Sequence, residues 1–159
     1  MENKVPAIPP GYNSITSYLS VNGAGEAIEF YKKAFDAREI GRFHMPDGSI
    51  AHAELQIGDS RLMLAEENVQ WGNLSPQTLG GSPVTLCLYV EDVDAVFTKA
   101  LQEGAKITGD MEVKDQFYGD RAGSLTDPFG HKWSIMTHRE DVSFEEMQKR
   151  MDAMFSVYK

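Results

Sequence analysis

Apolar positions change their period along the chain in an order that occurs twice. From Asn13 to Val21 they follow a strand pattern, with Ile15, Tyr18, Leu19 and Val21. From Gly23 to Phe35 the spacing becomes helical, with Ala27, Ile28, Tyr31 and Phe35 on one face. Arg38–Met45, Ser49–Ile57 and Arg61–Ala65 read as three further strands, separated by Pro46-Asp47-Gly48 and Gly58-Asp59. The order is β-α-β-β-β. Glu67–Ser82, with Gly72, Pro76, Gly80 and Gly81, reads as a linker. The order then returns. Val84–Val90 is a strand, and Asp92 caps a helix with a core face of Val93, Val96, Phe97, Ala100 and Leu101 and a terminal Gly104. Ile107–Lys114 is a strand. Ala122–Thr126 and Trp133–Met136 form a hairpin around Asp127-Pro128-Phe129-Gly130, where Pro fixes φ and Gly is free to take φ > 0.

Val21 and Val90 each end a strand before a helix, 69 residues apart; Leu62-Met63-Leu64 and Trp133-Ser134-Ile135 each follow a glycine turn, 71 apart. The pattern predicts a structural duplication. Each half has about 55 residues, too few for a good core alone, so the halves are expected to share one. The expected boundaries are an N-terminal arm at 1–13, modules at 14–68 and 83–138, a linker at 69–82 and a C-terminal helix at 139–159, all in one structural domain. Pro6, Pro9 and Pro10 suggest a polyproline-like arm that orders only by docking. In the tail, Ser143 and Glu146 have capping-box spacing, with Val142 and Met147 as its staple. Phe144, Met147, Met151, Met154 and Phe155 make an apolar stripe, expected to lie on the domain or a second subunit, or else to serve as a methionine-rich partner surface.

Composition narrows the function classes. A hydrophobic fraction of 42% supports a globular core. Twenty-four acidic residues against 15 Lys plus Arg give a net charge of -9, which disfavours nucleic acid and anionic membranes as partners. Apolar runs are too short to span a membrane, and the first residues lack a signal-peptide pattern. A lone cysteine, Cys87, rules out an internal disulfide and suits a cytoplasmic location; on an apolar strand it is expected to be an inert buried thiol.

Two β-α-β-β-β modules with Asp-Pro-x-Gly-x-x-Trp closing the second resemble the vicinal oxygen chelate superfamily, which includes glyoxalase I, extradiol dioxygenases and the fosfomycin and bleomycin resistance proteins. The PhnB-like branch looks nearest. The residues that carry the likeness are Ala24-Gly25-Glu26-Ala27-Ile28-Glu29-Phe30-Tyr31, Pro46-Asp47-Gly48-Ser49-Ile50-Ala51-His52-Ala53-Glu54-Leu55, Tyr118-Gly119-Asp120-Arg121 and Asp127–Ile135. The resemblance implies an α+β fold in which paired modules form a curled mixed sheet, followed here by a C-terminal helix. It also implies a small-molecule ligand and a homodimer. In that superfamily the metal ligands stand on the inner face of each module's first and last strands. The matching positions here are Thr16, Met63, Thr85 and Ser134. Hydroxyls and a thioether are poor ligands for a divalent ion, so neither a metal nor another cofactor is expected at the usual place.

With Thr16 taken as inward, alternation places Tyr18, His52, Glu54, Gln56, Cys87, Tyr89 and Met136 on the same polar, aromatic face as Met63, Thr85 and Ser134. Such a lining suits a small polar ligand. His52 and Glu54 share one strand face. They are candidates for an acid–base pair, or, with His44, for a relocated metal site; they also suit a solvated or hydrogen-bonded surface. Arg121 is a candidate clamp for a carboxylate or phosphate, or else a partner of Asp120, Asp127 or a second chain. Tyr118 and Phe117 suit a pocket wall or a core plug. Arg42 and Arg61 read as surface charges, His131 as structural and Trp71 as an anchor. The leading functional expectation is a metal-independent binder of a small polar molecule with Thr16, Tyr18, Gln56, Met63, Thr85, Tyr89, Tyr118, Arg121 and Ser134 lining its site. The alternatives are a lyase or isomerase using His52 and Glu54, and a scaffold that recruits a protein through its tail helix.

Overall fold

The computed structural model describes residues 5–156; the first four residues of the expected arm and the last three of the expected tail lie outside the described residues. The chain divides into two compact units, one reaching Ser82 and including Pro128–Gly130, the other made of Pro83–Asp127 and the chain from His131 onward.

In the first unit the elements are β1 (Ser17–Val21), α1 (Ala24–Phe35), β2 (Arg38–His44), β3 (Ile50–Ile57) and β4 (Ser60–Glu66). The sheet order is β1-β4-β3-β2, with β1 parallel to β4 and the other pairs antiparallel. Helix α1 packs on β2, β3 and β4. It buries Ala27, Ile28, Phe30, Tyr31, Ala34 and Phe35, while the sheet buries Leu19, Val21, Ala53, Leu55, Ile57, Leu62 and Leu64. Phe129 meets Phe30 edge-on at 6.2 Å between ring centroids. Gly23, at φ 96°, enters α1 with no side chain to cap it. The carboxylate of Glu66, at the end of β4, takes that role by accepting from the Gly23 and Ala24 amides, each at 2.8 Å. The linker is partly ordered into a 3-10 turn at Val69–Trp71 and the one-turn α2 (Pro76–Leu79). Trp71, expected as an anchor, is instead 64% exposed and borders a small cleft with Met45, Ile50 and Asn68.

The second unit holds β5 (Thr85–Tyr89), α3 (Val93–Gln102), β6 (Lys106–Ile107), β7 (Lys114–Asp115), β8 (Asp120–Thr126) and β9 (Lys132–His138). Its order, β5-β9-β8-β6, with β5 parallel to β9, repeats the connectivity of the first. The Asp92 side chain accepts from the Ala95 amide and caps α3. Val93, Phe97 and Ala100 are buried; Val96 and Leu101, expected in the core, are only half-buried. The expected strand Ile107–Lys114 is broken into β6 and β7, because Met111 turns back to the Thr108 carbonyl and Gly109 takes φ 56°. Gly123 on β8 has no Cβ, and the space is filled by Phe97 and Val113; a Cβ there would lie 2.8 Å from each.

After β9 comes α4 (Phe144–Ser156). The Ser143 hydroxyl accepts from the Glu146 amide, but the Glu146 carboxylate pairs with Arg150 rather than closing a capping box. Arg150 also donates to the Phe117 carbonyl and to both Glu140 oxygens, tying α4 to its unit. None of the described α4 residues is buried, and Phe144 is 89% exposed, so the apolar stripe does not join the core of its own unit. Among the described residues, no helix is long and apolar enough to cross a membrane.

Candidate functional site

Because Leu19, Ala53, Leu55, Leu62 and Leu64 turn into the core of the first unit, strand alternation sends Tyr18, His52, Glu54, Gln56, Arg61 and Met63 to the opposite face. Register aligns them in rows. Tyr18 pairs with Met63 and Met63 with Glu54, while Arg61 pairs with Gln56. On this face three side chains form a relay. The Tyr18 hydroxyl lies 3.1 Å from His52 Nδ1, and His52 Nε2 lies 3.3 Å from Glu54 Oε1. The Tyr12 hydroxyl, brought in by the N-terminal arm, donates to the other Glu54 oxygen.

That hydrogen bond, more than the neighbouring His52 and Arg61, holds the Glu54 carboxyl below the usual carboxylate range against the effect of burial. Burial, and then the bond to Glu54, push the Tyr12 phenol up; burial alone pushes up Tyr18. An ionised Glu54 accepts from His52 Nε2–H, which leaves Nδ1 as the acceptor for the Tyr18 hydroxyl. Phe43 and Tyr18 flank the imidazole at 5.4 and 5.5 Å between ring centroids.

Arg61, expected as a surface charge, is instead half-buried on this face. Its guanidinium carbon sits 5.5 Å from the Tyr12 ring centroid, in a cation–π arrangement. Among the described residues, its Nε and Nη1 are buried without a hydrogen-bond acceptor.

The other predicted site residues are spread more widely. Gln56 closes its own turn by donating to the Gly58 carbonyl. Thr16 is half-buried immediately before β1. In the second unit Thr85 and Cys87 are exposed, and Ser134 pairs with Cys87 in β5 and Ser124 in β8. The exposed Cys87 corrects the expectation of a buried thiol. Tyr118 packs edge-on against Phe117 at 5.2 Å. Arg121 lies on the helix side of its own sheet. Alternation along β8 turns it towards α3, where it makes twin bonds to Asp94 at 2.7 and 2.8 Å and a longer one to Asp115.

Sequence reasoning missed a second polar cluster. The Tyr89 hydroxyl donates to Asp120 Oδ2 at 2.8 Å, His138 Nδ1 lies 2.7 Å from Asp120 Oδ1, and His138 Nε2 lies 2.9 Å from Asp141. Asp120 is buried. The signal available was alternation, which sets Asp120 and His138 opposite one another in register on the face of Tyr89.

The donor set does not fit the metal that the fold family implies. Thr16, Met63, Thr85 and Ser134 offer neither imidazole nor carboxylate. Among the described residues, no three His, Cys, Asp or Glu side chains converge as ligands, so His44, His52 and Glu54 do not form a relocated site.

The sequence profile of the Glyoxalase/Bleomycin resistance protein/Dioxygenase superfamily matches residues 11–135. The chain belongs to this superfamily. Its relatives include the uncharacterized protein Rv0887c of Mycobacterium tuberculosis, 42% identical over 95% of this chain and 85% of that protein. The Arabidopsis thaliana protein At5g48480 is 33% identical over 77% of this chain and 75% of its own length. The X-ray structure of that Arabidopsis gene product has a TM-score of 0.61 over 78% of this chain and 98% of that chain. A PhnB protein from Bacillus cereus shares the glyoxalase fold, with 21% identity and a TM-score of 0.59 over 79% of this chain and 99% of its own.

Proposed function

We propose that this glyoxalase-superfamily protein binds a small polar molecule, without a metal, on the inner face of its first module. The observation that supports this most strongly is the Tyr18–His52–Glu54 relay lying on the sheet face turned away from α1, beside an Arg61 whose Nε and Nη1 lack acceptors. A face built only for solvation has no need of a guanidinium withdrawn from water and left unpaired. The relay offers an acceptor at Tyr18 and an ionised acceptor at Glu54, and the aromatic flanks supply apolar contact. Family membership supports a homodimer as the working form, and the single cysteine supports a reducing, cytoplasmic setting.

A second reading rests on the same relay. Glu54 fixes the His52 tautomer and Tyr18 ends the chain, an arrangement suited to moving a proton on a bound lyase or isomerase substrate.

Thermal-shift screening of small polar metabolites tests the binding reading. A ligand at a hundred times its Kd stabilises by about 2.7 kcal/mol, which corresponds to a rise in Tm of roughly 5–10 °C for a chain of this size. The shift should disappear in His52→Ala and Arg61→Gln. A hit that shifts both variants as strongly as the parent overturns the assignment to this face. Product formation from the same hit, lost in His52→Ala, selects the enzyme reading.

A further inference from the structure

The N-terminal arm does more than dock. Tyr12 N–H returns to the Pro9 carbonyl in a tight turn, and Gly11 takes φ 84°. This lays the arm against Arg61 so closely that a Cβ on Gly11 would stand 3.0 Å from Nη2 and 3.3 Å from Nε. The Tyr12 phenol then reaches along the inner face, its hydroxyl on Glu54 and its ring over the guanidinium. The described part of the arm therefore lies against the guanidinium, yet among the described residues Nε and Nη1 have no acceptor. Leaving donors of a charged group buried and unpaired costs free energy that a ligand with an acceptor at that point would recover. Tyr12 thus fills the site imperfectly: it satisfies Glu54 and the cation–π contact but not the two N–H groups.

We propose that Tyr12 is a built-in occupant of the site, displaced by a hydroxylated aromatic acid. The ligand's hydroxyl replaces that of Tyr12 on Glu54, and its ring replaces the phenol against Arg61. Its carboxylate, at the far end of the ring where the Gly11–Tyr12 backbone now lies, accepts from the Arg61 donors. The inference rests on the binding reading above and adds to it a ligand class and a displaceable arm. The charge arrangement is selective. The donor hydroxyl faces the ionised carboxylate and the anion faces the cation, so the reversed orientation would set carboxylate against carboxylate. Arm displacement also subtracts from the apparent affinity, so the intact chain binds more weakly than the open site would.

Calorimetric titration of the full chain with 4-hydroxybenzoate tests this, with benzoate and 4-hydroxybenzyl alcohol as the arms lacking the hydroxyl and the carboxylate. Tyr12→Ala should bind 4-hydroxybenzoate about tenfold or more tightly than the parent, because the competitor is gone. Tyr12→Phe, which keeps the ring and loses the bond to Glu54, should fall between. Adding Arg61→Gln to Tyr12→Ala should weaken binding by about tenfold or more, and benzoate and the alcohol should each bind Tyr12→Ala about tenfold more weakly than 4-hydroxybenzoate. Circular dichroism and melting curves establish that each variant is folded. Tyr12→Ala binding no better than the parent, or an Arg61→Gln change without effect, overturns the proposal. If Tyr12→Ala gains affinity only for non-aromatic polar compounds, in a manner sensitive to His52→Ala, the ligand class is wrong and the site reading survives. Compounds that bind with no sensitivity to Tyr12, Arg61 or His52 overturn both.

Discussion

Glu66 at the end of β4 and Thr137 near the end of β9 stand 71 residues apart and close the N-terminus of the helix in their own module. Glu66 accepts the Gly23 and Ala24 amides, while the Thr137 hydroxyl accepts the Val93 amide and donates to the Val90 carbonyl. Glycine at position 23 supplies no side-chain cap, so in the first module the work falls on the strand. Glu66→Ala should lower stability by about 2 kcal/mol, the scale of charge-assisted hydrogen bonds at a helix N-terminus. Thr137→Val keeps the shape, loses both hydrogen bonds and should cost about 2 kcal/mol. Urea unfolding measures both; a Glu66→Ala midpoint equal to that of the parent would show that water replaces the carboxylate.

Gly119 joins the turn before β8 to the root of α4. At φ 100° it takes a conformation that L side chains avoid, and its carbonyl accepts from the amides of both Arg139 and Glu140. A Cβ there would run into the Glu140 carbonyl oxygen and stand 2.9 Å from Val142. Gly119→Ala should therefore destabilise by at least about 2 kcal/mol through combined strain and overlap. Gly48→Ala, where a Cβ meets open space at φ 89°, separates the two causes, since only backbone strain acts there. Equal losses in the two variants would dismiss the steric part of the argument.

The strands and helices were legible because period-2 and period-3.6 runs were each bounded by Gly, Pro or Asp. Register was not needed to see that Leu19 and Leu64 pack into the core beneath α1 while Tyr18, His52 and Glu54 share the opposite face. What pattern could not supply was the third dimension of the ends. Nothing in Pro9-Pro10-Gly11-Tyr12 announces that its phenol reaches Glu54, 42 residues on. Arg61 reads as a surface charge until Tyr12 is seen over it. Arg121 follows Asp120 in sequence, but alternation sends their side chains to opposite faces, the arginine to Asp94 and the aspartate to Tyr89 and His138. The break between β6 and β7 was hidden because Ile107–Lys114 keeps a strand-like composition while Gly109 turns the chain.

Cys87 is exposed on β5, contrary to the buried thiol that an apolar strand suggests. An accessible thiol should react in the native state. Ellman's reagent should titrate about one equivalent per chain without denaturant, within about tenfold of the rate in urea. Cys87→Ser should alter stability by no more than about 0.5 kcal/mol, as expected for an exposed position. Reaction only after unfolding would mean that this face is covered in solution, and oligomeric state measured on the same sample would identify a second copy as the cover.

His138 ties β9 to the segment leading into α4. Its ring lies between the Asp120 and Asp141 carboxylates, and Asp120 also receives the Tyr89 hydroxyl. The hydrogen bond to Asp120 first, and that to Asp141 second, raise the imidazole above its ordinary value of 6.5. A histidine whose folded value exceeds its unfolded one adds stability that is fully present below the unfolded value. That stability is lost as pH rises through the folded value. The difference in urea midpoint between the parent and His138→Gln should therefore be greatest at and below about pH 6.5 and shrink as pH climbs beyond it. Glutamine keeps a donor for Asp120 but carries no charge, so the pH-dependent part isolates the imidazolium. Asp120→Asn should flatten the same profile, because it removes the carboxylate that contributes most to the shift. A midpoint difference that is constant with pH, or that grows above neutrality, would mean that the imidazole is held neutral between the two carboxylates.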